Sequence, residues 1–133
     1  MKVKCIANTG AGVSETKRQK IGYFLTSITP MKVGDVYTVY GQVIWRGILH
    51  YLLIGSEESL PSLYPAELFS VEDSLLPLEY YFHYWKDEEV SAVWGFQELA
   101  ENPQFLFDLI DRKDYAIRTF LSRKSEIESN LGC

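Results

Sequence analysis

Apolar residues alternate with polar ones at strand spacing through the first half of this chain and recur at helical spacing in its last third. Val36-Tyr37-Thr38-Val39-Tyr40 is β-branched and aromatic, Gly41 permits a bend or bulge, and Val43-Ile44-Trp45 resumes the strand. Arg46-Gly47 reads as a hairpin turn. Ile48 to Ile54 is an almost continuous apolar run, the pattern of a central strand covered on both faces. Gly55-Ser56-Glu57-Glu58-Ser59 closes it with a polar turn, and Pro65-Ala66-Glu67-Leu68-Phe69 predicts one turn of 3₁₀ helix before a last strand through Val71. Upstream, Val3-Lys4-Cys5-Ile6-Ala7 predicts a first strand, and residues 8–20 read as a flexible turn and a polar, solvated loop. Residues 1–73 therefore predict a small, strongly bent antiparallel sheet.

Leu75-Leu76-Pro77 marks the boundary of that unit. Beyond it, the apolar runs Leu78–Trp85 and Val90–Trp94 flank the charged Lys86-Asp87-Glu88-Glu89, as in a hairpin; Trp94 to Ala100 also suits a short helix before Asn102-Pro103. From Pro103 onward Phe105, Leu106, Leu109 and Ile110 define one helix. Asp111 or Asp114 can cap a second, whose apolar stripe is Ile117, Phe120, Leu121, Ile127 and Leu131. The fold class is α+β, with residues 74–133 expected to pack on the N-terminal unit.

Composition narrows the function classes. The 133 residues are 47% hydrophobic and 14% aromatic, rich enough for a real core, so disorder is not expected. Residues 1–66 carry seven Lys/Arg against four Asp/Glu (net +3), whereas residues 67–133 carry six against fourteen (net −8). The acidic half disfavours nucleic acid, whose phosphates need clustered positive charge, and suits a basic partner. Met1-Lys2-Val3-Lys4 leads directly into a strand, and no apolar run approaches the roughly 18 to 20 residues that span a bilayer. The expectation is a cytoplasmic protein with no membrane contact, Cys5 a buried thiol and Cys133 an exposed one.

No residue set points to catalysis or a cofactor. Gly10 and Gly12 fit neither phosphate-loop spacing, and the basic Lys17-Arg18-Lys20 reads as solvated surface. His50 and His83 lie inside apolar strands without a cysteine or carboxylate at ligand spacing, so neither predicts a metal site. Cys5 sits within a strand, away from the helix N-termini that activate thiolates. The acidic Asp87, Glu88 and Glu89, set among Tyr80, Tyr81, Tyr84, Trp85 and Trp94, resemble interface anchors with a charged rim; alternate aromatics should serve core and surface.

The segments Val33-Gly34-Asp35-Val36-Tyr37-Thr38-Val39-Tyr40, His50-Tyr51-Leu52-Leu53-Ile54 and Tyr64-Pro65-Ala66-Glu67-Leu68-Phe69-Ser70-Val71 together resemble small bacterial SH3-like proteins. The resemblance implies an N-terminal SH3-like barrel over residues 1–73, although the acidic pair Glu57-Glu58 stands two positions later than in that pattern. Trp94-Gly95-Phe96, Asn102-Pro103 and Phe120-Leu121-Ser122-Arg123-Lys124 are similar to immunity proteins encoded beside polymorphic or contact-dependent toxins. That likeness implies a non-enzymatic protein that neutralises a cognate, basic toxin such as a nuclease. Tyr84, Trp85, Asp87, Glu88, Glu89, Glu57 and Glu58 are the expected contacts, chosen from charge and aromatic placement. The alternative is an SH3-like module that binds a peptide, small ligand or nucleic acid around Trp45 and Tyr51.

Overall fold

The computed structural model describes residues 1–86 and 89–131, with side chains to residue 129. Its elements run β1 (Lys2–Cys5), α1 (Glu15–Ile21), β2 (Val36–Thr38), β3 (Gly41–Trp45), β4 (Ile48–Leu53), β5 (Ser62–Pro65), β6 (Phe69–Asp73), β7 (Tyr81–Tyr84), β8 (Val90–Gly95), α2 (Gln97–Glu101), α3 (Phe105–Ile110) and α4 (Asp114–Leu131). The α+β class is as expected. The strands divide between two antiparallel sheets, of order β2-β1-β6 and β5-β4-β3-β8-β7.

The chain passes from the smaller sheet to the larger at Val39-Tyr40, just before the bend that Gly41 permits. Gly41 has a second role, because a Cβ there would lie 2.4 Å from Leu99 Cδ2; only a bare backbone lets α2 approach the sheet this closely. Arg46 and Gly47 both take positive φ, 51° and 77°, which matches the twist of the flanking strands and closes the β3–β4 hairpin as expected. Ala66–Leu68 forms the anticipated 3₁₀ turn. The two runs around residues 86–89 do pair as a hairpin, Tyr81 opposite Gly95 and Tyr84 opposite Ala92, and the helix starts only at Gln97.

Two cores form on opposite faces of the five-stranded sheet. On one face Val43, Leu52 and Val93 meet Leu99, Leu106, Leu109 and Phe120 of the helices. On the other, Tyr51, Leu53 and Tyr64 meet Val3, Cys5 and Phe69 of the small sheet. β4 is thus the doubly covered strand its composition indicates. The boundary at residue 73 does not separate two sheets, since β8 pairs with β3 along its length. Burying both faces of one sheet makes each half depend on the other's packing.

Two expectations need correction. Lys17-Arg18-Lys20 lies in helix α1, not in a loop; Ile21 is its only buried residue, so no apolar period announces it. It is held from outside: Glu67 accepts hydrogen bonds from Ser14 N–H and Lys17 Nζ, and Arg18 donates to the carbonyls of Gly10 and Val13. The C-terminal region holds the short helix α2 at residues 97–101, which the run up to Ala100 suits, followed by the two helices expected after Pro103. On α4, Leu121 is 46% exposed and Ile117 only half-buried, while Ala116, Phe120 and Ile127 make the seam. Cys5 is a buried thiol as expected, its Sγ 3.3 Å from Ala7 O, and burial raises its pKa. Cys133 falls outside the described residues.

Candidate protein-binding surface

Cross-strand register decides which side chains share a face of a sheet. The row Phe82, Trp94, Gln42, Tyr51 and Tyr64 crosses all five strands of the larger sheet. At its β4–β5 end the tyrosines are 5% and 9% exposed beneath the smaller sheet, whereas at the β7 end Phe82 is 53% exposed. The next row runs Tyr84, Ala92, Ile44, Leu49, and Tyr84 is 59% exposed. One half of this face is therefore core and the other half is open. Phe82 rests against Trp94 with ring centroids 4.7 Å apart, a supported aromatic step next to the Tyr84 ring.

The opposite face of the same hairpin is different in kind. His83 stacks on Trp85 at 3.7 Å, both on the helix side, and Trp85 lines a 250 Å³ cleft with Val90, Leu99, Pro103 and Leu106. Alongside it, Trp45, Leu63, Val90, Leu106, Phe107 and Ile110 line an apolar cavity of about 370 Å³. Trp45 is held from two sides: the Arg46 guanidinium lies 4.9 Å from its ring centroid, and its Nε1–H donates to Glu89 at 3.0 Å.

The expected contact residues are not all together. Tyr84 and Trp85 are neighbours in sequence but project to opposite faces, so only Tyr84 belongs to the open aromatic surface. This is the alternation expected of the aromatic run. Glu89 is committed within the fold: besides Trp45 it accepts from Arg46 Nε at 3.0 Å, and its carbonyl accepts from Arg46 N–H, clamping the β3–β4 and β7–β8 tips together. Asp87 and Glu88 lie outside the described residues. Glu57, at φ 64°, and Glu58 follow β4, at the end of the sheet away from the 45–48 and 85–89 turns. They cannot share a compact patch with Glu89, because the length of β4 separates them.

The alternative site is divided as well. Tyr51 is buried against Phe69, with centroids 6.0 Å apart, on the face opposite Trp45. His50 is buried, its Nδ1 2.8 Å from Ile48 O, its Nε2 without a partner among the described residues and its ring edge-on to Trp45; desolvation lowers its pKa. Among the described residues no group of three or more His, Cys, Asp or Glu is placed to hold a metal, and no helix is long and apolar enough to cross a membrane. Phe82 was not singled out by its sequence. The available signal is its period-2 position with Tyr84, which becomes informative only once the smaller sheet is known to stop short of covering that end of the face.

No family model, curated protein or solved structure matches this chain.

Proposed function

We propose that this chain is an immunity-type binding protein that neutralises a cognate, basic toxin domain in the cytoplasm by covering that domain's active site. The observation that carries this reading is the open half of the larger sheet, where Phe82 and Tyr84 stand exposed in the acidic half of the chain. Aromatic side chains on a rigid sheet lose little entropy on contact and supply most of the energy at protein interfaces, while surrounding carboxylates steer a basic partner and raise the association rate. The job requires no cofactor and no turnover. An SH3-like barrel for residues 1–73 is part of the proposal. It is supported by the short Val39-Tyr40 link that carries the chain from one sheet to the other and by the 3₁₀ turn before β6.

The test pairs the purified protein with the C-terminal domain encoded immediately upstream. Wild type should form a complex whose association slows steeply with added salt, and should protect cells that express that domain. The double variant Phe82→Ala/Tyr84→Ala should lose at least thirtyfold in affinity while keeping its unfolding midpoint. Lysine in place of Asp87 and Glu88, with Glu89 kept because it holds Trp45 and Arg46, should slow association chiefly at low salt. Unaltered affinity in the double variant would remove this surface from the interface.

A second reading has its own observation, the apolar cavity between Trp45 and α3. It makes the chain a module for a small apolar ligand. Ile110→Trp, which fills that cavity, would abolish such binding and leave toxin binding untouched.

A further inference from the structure

Strand β7 ends the larger sheet, and its outer edge is unpaired. Tyr81 and His83 stand opposite Gly95 and Val93, and the Trp85 N–H donates to Ser91 O at 2.8 Å, so the odd-numbered residues direct their backbone groups toward β8. The N–H and C=O of Phe82 and Tyr84 consequently point away from the sheet. Among the described residues nothing pairs with them. Sheet edges of this kind are ordinarily guarded by a charge, a proline or a bulge, yet β7 reads Tyr-Phe-His-Tyr with a regular register.

We propose that this edge is the docking line itself: an extended, basic segment of the partner adds to β7 as a sixth strand of the larger sheet, with its apolar side chains over Phe82 and Tyr84. The inference rests on the immunity reading and specifies how that partner is held. Charge selects the occupant. The half of the chain that carries the edge has net charge −8; the exposed Glu79 lies just before the strand, and the exposed Lys86 just after it is followed in sequence by Asp87, Glu88 and Glu89. A second copy would bring another acidic half of net charge −8 to the contact, whereas a basic segment brings the opposite charge. A basic strand gains main-chain hydrogen bonds, aromatic contact and attraction at once.

Amide hydrogen exchange on the unaltered protein, free and bound to the upstream-encoded toxin domain, reads the edge directly. The Phe82 and Tyr84 amides should exchange rapidly in the free protein and slow at least tenfold in the complex, whereas Tyr81 and His83, already bonded to β8, should be protected in both. Tyr84→Ala and Tyr84→Pro separate the ring from the backbone, since proline is tolerated where a strand N–H faces solvent. Affinity should fall at least tenfold further for proline than for alanine, with both variants unfolding at similar temperatures. A complex without slowed exchange at residues 82 and 84 overturns the added strand and leaves the immunity reading intact. Failure to form any complex overturns both. Concentration-dependent self-association that protects the same amides would make a second copy the occupant, and so refute the basic segment.

Discussion

Replacing Phe120 by alanine measures how far the C-terminal helix is part of the fold. The ring is fully buried, edge-on to Tyr40 at 5.4 Å and inclined to Phe96 at 6.3 Å, so it bridges α4, the start of β3 and the entry to α2. A phenylalanine that loses all contact with water buries about 150 to 250 Å², worth roughly 4 to 6 kcal/mol at about 25 cal/mol per Å². The methyl that alanine retains lowers this, and incomplete collapse of the cavity raises it, so the expected loss is about 3 to 5 kcal/mol. Leu121 is the internal control: it follows Phe120 on the same helix but is 46% exposed, and Leu121→Ala should cost less than about 1 kcal/mol. Urea unfolding followed by tryptophan fluorescence reports both, and the slope should stay at the wild-type value. A loss under about 1 kcal/mol for Phe120→Ala, or equal losses for the two variants, would refute the packing argument and make α4 a loose appendage.

Burial holds the pKa of His50 below its ordinary value. The unfolded chain therefore takes up a proton that the folded chain refuses as pH falls below about 6.5, so stability should decline from there and level off under the folded value. His50→Leu should flatten that part of the stability–pH curve; a curve of unchanged shape would show that His50 does not titrate on unfolding. Gly10→Ala would place a Cβ 1.7 Å from the carbonyl oxygen of Phe24, so the 23–28 loop must move. A cost of about 1 to 3 kcal/mol, with shifted amide signals at residues 24 to 27, is expected, and unshifted signals would contradict it. Arg123 meets Glu98 through two hydrogen bonds of 2.8 and 2.9 Å, tying α4 to α2, and the pair lowers the Glu98 pKa. Both side chains are partly exposed, so Arg123→Met should lose only about 1 kcal/mol, and less in high salt. A loss that does not depend on salt would point to packing of the aliphatic stem instead.

Local chemistry alone determined the parts of this protein that depend on neighbours in sequence. The Arg46-Gly47 hairpin, the 3₁₀ turn after Pro65 and the doubly buried β4 follow from turn preferences and from runs of apolar residues, which act within a few positions. Helix α1 was not legible, because its stability comes from Glu67 and from the Gly10 and Val13 carbonyls rather than from an apolar face of its own. Nor was the surface. Tyr84 and Trp85 carry the same aromatic signal, and only the pairing of β7 with β8, and the side on which the helices settle, sends one to solvent and the other into a cleft. Glu89 looked like free rim charge until the fold brought Arg46 and Trp45 beside it. A residue's exposure is set by what packs over it from far along the chain, and the tertiary structure decides where that cover stops: here it ends between Tyr51 and Phe82 on a single row of the sheet.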